Sequence, residues 1–149
     1  MMKIHTEQFG ELELEDNRLL TFERGIPGFE EETKFVLLPA DPSGDSPFFF
    51  LQSTEHTAIS FFMADPFVFL PDYEVKLDDA LSGQLKLEDS SDAIVLVTVT
   101  PNKQIGDATA NLKAPVVINN KQQLGKQIVL NNLNYQVKHP LFQQAARQV

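Results

Sequence analysis

Residues 93–100 read AIVLVTVT. β-branched side chains follow one another almost without a break, which favours extended backbone over helix. The run is apolar at both odd and even positions. Successive strand residues point to opposite faces, so such a strand must be covered on both sides. Working outward, the chain carries further short runs of the same kind, separated by turn signals. Upstream lie Phe9–Glu15, Arg18–Glu23, Phe35–Pro39, Phe48–Ser53 and Ala58–Ala64, the last two joined near Glu55-His56. Downstream lie Ala114–Asn119, Gln127–Leu130 and Asn134–Lys138. Asp78–Leu85 is the one internal helix expected, with Asp78 or Asp79 near its N-cap. Pro140–Gln148 is expected to form a short terminal helix. Many short strands without helical crossovers point to an all-β barrel or sandwich.

Several stretches punctuate this pattern. Residues 11–15, ELELE, alternate with a polar face made only of glutamate, a composition that discourages edge-to-edge sheet pairing. Residues 65–73, DPFVFLPDY, hold two prolines and cannot form a central strand. GIPG at 25–28 has proline to preset the first central φ of a turn and Gly28 to supply a positive φ at the second, a type II pattern with Ile26 first. PFFFLQS puts Phe48, Phe49 and Phe50 in a row. Either both sheet faces there are covered, or one ring is offered to a partner.

The chain has 149 residues and no cysteine. That length suits one domain able to bury a core without metal or disulfide, and the cysteine count excludes thiolate chemistry and Fe–S ligation. The N-terminal stretch lacks the apolar core of a signal peptide, and no apolar run approaches the ~20 residues of a membrane span. Net charge is −9, unfavourable for nucleic acid and anionic lipid. Residues 1–92 hold 20 of the 21 acids and a net charge of −14; residues 93–149 hold only Asp107 and a net charge of +5. A negative face including Glu30, Glu31 and Glu32 is expected, suited to a basic partner.

Motifs for catalysis and ligand chemistry are missing. GIPG lacks the spacing of a phosphate loop and loses one backbone donor to Pro27. As a nucleic-acid clamp it would be opposed by the three glutamates that follow. His5, His56 and His139 stand in no metal-binding spacing, and no serine sits in a G-x-S-x-G frame. No catalytic residue, metal or cofactor is expected. Two alternatives stay open. One is a small β-barrel enzyme using Asp65, Asp72 or His139, although aspartates beside proline more commonly cap turns. The other is a nucleic-acid-binding barrel, which would need a basic, aromatic-lined groove; the basic C-terminal third offers only Tyr135 and Phe142.

GIPGFE, PFFFLQS, ADPF with PDYE, TANLKAPVVINN, GKQIVL and NYQVKHPL follow one another in this order. Together they resemble the flagellar assembly factor family FliW, from about Phe9 to Leu141. The resemblance implies a barrel-like antiparallel β domain over 1–142, with a variable tail at 143–149. It implies a cytoplasmic protein without catalytic activity that binds flagellin before export. It also implies a second partner, the dimeric RNA-binding translational repressor CsrA, antagonised allosterically so that flagellin mRNA is translated. Direct nucleic-acid or membrane contact is not implied. Since flagellin's ends are amphipathic helices on this reading, an apolar groove is the expected receptor. The docking residues expected are Ile26, Phe29, Phe67, Phe69, Leu70 and Tyr73, with Leu112 and Pro115 on the same face.

Overall fold

The computed structural model describes residues 1–101, 105–131 and 134–141. A hairpin of β1 (Met2–Thr6) and β2 (Gly10–Leu14) is followed by β3 (Leu19–Thr21), β4 (Lys34–Pro39), β5 (Phe48–Ser53) and β6 (Ser60–Ala64). Two short helices, α1 (Pro66–Phe69) and α2 (Asp79–Gln84), precede β7 (Ala93–Thr100). β8 (Thr109–Ala110), β9 (Val116–Asn119), β10 (Leu124–Gln127) and β11 (His139–Pro140) complete the set. Seven strands close on themselves in the order β3-β4-β5-β6-β7-β9-β10 and back to β3. Closure removes the free edges that an open sheet would expose. One seam differs from the rest: β10 meets β3 in parallel, through Leu124 opposite Thr21, whereas the other strand pairs are antiparallel.

Strand alternation sorts the side chains. Phe35, Phe49, Leu51, Phe61, Met63, Ile94 and Leu96 join Leu20, Phe22 and Ile118 in one apolar cluster. Their neighbours face the other way. Val36 and Leu38 lie under Ile4 of the β1–β2 hairpin. Val117 and Val95 lie under Leu81 and Leu85 at α2. Val97 and Val99 pack with Tyr73, Leu112 and Leu141. The AIVLVTVT strand is thus covered on both faces, as its composition requires. The three phenylalanines resolve in the same way. Phe49 joins the Phe22–Phe35 cluster, while Phe48 stacks on Phe62 at 5.2 Å and Phe50 tilts against Phe62 at 5.3 Å.

Several elements depart from sequence expectation. Met2–Thr6 forms a strand because the ELELE strand needs a partner. Lys3 and His5 lie opposite Glu13 and Glu11, while Ile4 is buried. DPFVFL folds into α1, a second short helix: Pro66 takes the first turn, and Asp65 Oδ1 accepts the Phe67 N–H at 3.0 Å. This is the capping geometry proline and aspartate favour. β10 falls at Leu124–Gln127 rather than 127–130, because register follows pairing with β9 rather than local apolarity. Asn134–Lys138 is not a strand; pairing begins at His139. Pro140, expected to open a terminal helix over 140–148, instead pairs with Thr109 in β11, and residues beyond Leu141 lie outside those described.

Candidate functional site

Two surface features carry the expected docking residues. The first is the loop from Gly25 to Thr33. Phe29 N–H donates to the Ile26 carbonyl at 2.6 Å, and Gly28 has φ +89°, so the type II turn forms as its residues dictate. Gly25 has φ +63°, and a Cβ there would stand 2.6 Å from the Glu30 carbonyl oxygen. Ile26 is buried in the barrel cluster. Phe29 is 42% exposed and meets Phe61 edge-on at 5.2 Å. Glu30 folds back so that its carboxylate accepts the Gly28 N–H at 3.0 Å, and that bond lowers its pKa.

Glu32 does not belong to the solvated acidic edge. Its side chain is only 8% exposed. Ser53 Oγ donates to it at 2.6 Å, and His56 Nδ1 lies 2.8 Å from its second oxygen. The Ser53 hydrogen bond first, then the one from His56, hold the Glu32 carboxyl below the usual range. The same Glu32 bond raises the His56 imidazole. A buried carboxylate needs such partners, and no local motif links residues 32 and 53. The remaining acids of residues 1–92 are exposed, apart from the half-buried Asp65 and Asp92.

The second feature is a cleft beside α1. Phe69, Leu70, Tyr73 and Leu112 line one cavity of about 230 Å³, together with Tyr135 and His139. Tyr73 is buried, its hydroxyl donates to the Leu112 carbonyl at 2.6 Å, and burial pushes its phenol pKa up. Its ring lies 4.8 Å from Tyr135, whose hydroxyl accepts the Glu74 N–H at 2.8 Å. Phe67 and Val68, 40% and 60% exposed, stand at the helix beside it, with Phe67 5.8 Å from Tyr73.

The eight expected docking residues therefore separate by depth. Phe29 and Phe67 are exposed, and Phe69 and Leu70 are half-buried. Ile26, Tyr73, Leu112 and Pro115 are buried: Ile26 lies in the barrel cluster, Tyr73 and Leu112 in the cluster with Val97 and Val99. Tyr73 and Leu112 line the cavity from its buried side, whereas Pro115 is not part of its lining. Tyr135 was not expected there, and only its aromatic character hinted at such a place. Of the residues considered for catalysis, Asp72 and His139 reach the same cavity, whereas Asp65 is spent on the helix cap. Among the described residues no group of acids and histidines is arranged to hold a metal ion, and no helix is long and apolar enough to cross a membrane.

These features define a class: a small closed β barrel whose outer face carries apolar clefts and a strongly acidic surface. A family model described as FliW protein matches residues 3–141. The flagellar assembly factor FliW of Geobacillus kaustophilus is 45% identical over 141 residues, covering 95% of this chain and 96% of that protein. That of Clostridium botulinum is 41% identical over 145 residues, covering 97% and 100%. A crystal structure of the flagellar assembly factor FliW superposes with a TM-score of 0.88 at 42% identity, covering 95% of this chain and 98% of that one. The chain belongs to the FliW family.

Proposed function

We propose that this chain is a cytoplasmic flagellar assembly factor that works by binding proteins and not by catalysis. Its partners on this reading are flagellin before export and the CsrA dimer, whose hold on flagellin mRNA it weakens. Family membership supports the first part. The observation that carries the binding mode is the meeting of Phe69, Leu70, Tyr73 and Leu112 in one apolar cleft beside the exposed Phe67 and Val68. An amphipathic helix delivers apolar anchors at i, i+3 and i+4, which suits a cleft of this kind. Tyr73 and Tyr135 add rigid rings whose hydroxyls are already bonded, so little side-chain freedom is lost on binding.

The antagonism of CsrA has an electrostatic rationale. Nearly all the acids of residues 1–92 are exposed. Placed beside a basic RNA-binding surface, their field would weaken RNA binding without occupying the RNA contacts, which is coupling between distinct sites. Screening shortens the range of such a field to about 3 Å at 1 M salt. RNA displacement by this protein should therefore fade as salt rises.

Calorimetric titration with purified flagellin, then with CsrA, then in competition, tests the reading. Saturable binding to both, with one displacing the other, is expected. Binding to neither at about 10 μM, an affinity near −7 kcal/mol, would sink it. Asp72 and His139 in one cavity are the single observation in favour of an enzyme. The docking reading requires that a Leu70→Asp charge in that cleft abolish flagellin binding, whereas an enzyme would depend on Asp72 and His139 themselves.

A further inference from the structure

The Glu32–Ser53–His56 cluster joins two segments distant in sequence. Ser53 is fixed at the end of β5, opposite Phe35 of β4, and its hydroxyl oxygen accepts the backbone N–H groups of Glu55 and His56 at 3.2 and 3.1 Å. Its own proton goes to Glu32 at 2.6 Å. The carboxylate thus lies between hydroxyl and imidazole, an order that leaves no base on the serine. A nucleophilic serine needs the imidazole on its oxygen, so the cluster is not a catalytic triad. What it does is tie the end of the Gly25–Thr33 loop to the β5–β6 turn.

We infer that Glu32, Ser53 and His56 form a protonation-sensitive latch that governs how firmly the Gly25–Thr33 loop, with Phe29 near its tip, is held against the barrel. Ser53 supplies the constant half, since a hydroxyl does not titrate in the working range. His56 supplies the variable half. Its side chain is 62% exposed, so protons reach it freely while its partner stays buried. The charged groups acting on the imidazole are Glu32 across the hydrogen bond, Glu31 on the same loop and Glu55 on its own turn, all acidic. The nearby cation Lys34 is turned to Thr21 Oγ1 at 3.0 Å. The three carboxylates therefore favour the imidazolium, and partial burial is what opposes it.

A charged donor makes this bond shorter and roughly twice as strong as a neutral one. Loss of the proton leaves a neutral N–H on the carboxylate and weakens the hold. The loop then rests on Ile26 in the core, the Phe29–Phe61 contact and the Ser53 bond. Two glycines at positive φ, Gly25 and Gly28, bracket the turn that would yield. The surface presented by Phe29, Glu30 and Glu31 would thus firm on mild acidification and loosen above neutrality. This does not depend on which protein docks there.

NMR of the full chain between pH 5 and 9 tests it, following the His56 imidazole and the Phe29 and Glu32 amides. In the wild type His56 should titrate above the ordinary value of about 6.5, and both amides should follow the same curve. In Glu32→Gln the imidazole should fall back towards the ordinary value, since the largest cause of its elevation is removed while Glu31 and Glu55 remain. Because that buried substitution can unfold the chain, His56→Gln, at an exposed position, provides the second reading. It should keep the fold, remove the amide transition and lower loop amide protection severalfold at pH 6. A His56 that titrates at or below the ordinary value, or amides that stay still while it titrates, would overturn the latch.

Discussion

The side-chain amide of Asn119 donates to the Leu85 carbonyl at 2.8 Å, and so ties the end of α2 to the β9–β10 turn across 34 residues of sequence. The same nitrogen reaches the Lys86 carbonyl at 3.1 Å, and the amide oxygen accepts from Lys121 and Gln122. Asn119 is 1% exposed, so its loss leaves the Leu85 carbonyl without a partner away from water and releases the part-buried bonds to Lys86, Lys121 and Gln122 at the same time. Lys86 holds φ +54°, a conformation costly for a non-glycine residue and sustained by its surroundings. Asn119→Ala should destabilise the fold by about 2–4 kcal/mol, more than a single hydrogen bond, because several groups lose partners together. Urea unfolding would show the change as a lower midpoint with little change in slope.

Gly125 is the place where β10 comes closest to the barrel interior. A Cβ there would collide with the ring of Phe22, which is fully buried and meets Phe35 edge-on at 5.2 Å. The ring cannot swing away without displacing Phe35. Gly125→Ala should therefore cost about 1–3 kcal/mol through overpacking, against the gain of a few tenths that loss of glycine freedom would otherwise give. The cost should shrink in the double variant Gly125→Ala with Phe22→Leu, since the collision is gone. Additive losses in that double-mutant cycle would refute the contact as the cause.

The latch makes stability depend on pH in two opposite limbs. Glu32 is held below the ordinary carboxyl value of 4.5, so its contribution is present above that pH and lost as pH falls through the folded value. His56 is held above 6.5, so its contribution is full below that pH and lost as pH rises through the folded value. The two together are greatest between about pH 4.5 and 6.5. Glu32→Gln should flatten both limbs of the urea midpoint against pH, whereas His56→Gln should remove the alkaline limb and part of the acid one.

How much of this was legible in the sequence depends on how local the cause was. The AIVLVTVT strand, the Pro27-Gly28 turn and the Asp78 cap follow from residues within a few positions, and they form as read. Short strands without helical crossovers pointed to an all-β barrel or sandwich, but closure itself rests on the β7–β9 and β10–β3 pairings between segments distant in sequence, which no local pattern encodes. The β10 register was not legible, because it is set by β9 and by the close approach to Phe22. Nor was the depth of Glu32. EEE reads as a solvated edge, and its burial comes from Ser53 and His56, which the β5–β6 turn delivers. The candidate site was half legible. Aromatics between prolines pointed to the cleft, but which rings face water depended on α1, a helix that no periodicity announced.

Phe67 and Phe29 allow the docking proposal to be divided. Both rings are partly exposed, and each touches a different aromatic partner, Tyr73 for Phe67 and Phe61 for Phe29. Truncating an exposed ring removes little core, so Phe67→Ala and Phe29→Ala should fold and melt within about 1 kcal/mol of wild type. Aromatic anchors at the centre of an interface typically cost 2 kcal/mol or more on truncation, about thirtyfold in affinity, whereas rim residues cost little. If an amphipathic flagellin helix occupies the cleft beside α1, Phe67→Ala should weaken flagellin binding by about that factor. Phe29→Ala should leave flagellin binding within about twofold, as expected of a residue outside the contact. The same pair titrated against CsrA reads out whether the partners share a surface. Loss of CsrA binding on Phe67→Ala would mean direct competition for the cleft. Loss on Phe29→Ala alone would place CsrA on the latched loop, and displacement would then have to travel through the barrel. Two variants that both bind flagellin like wild type would remove the cleft from the mechanism.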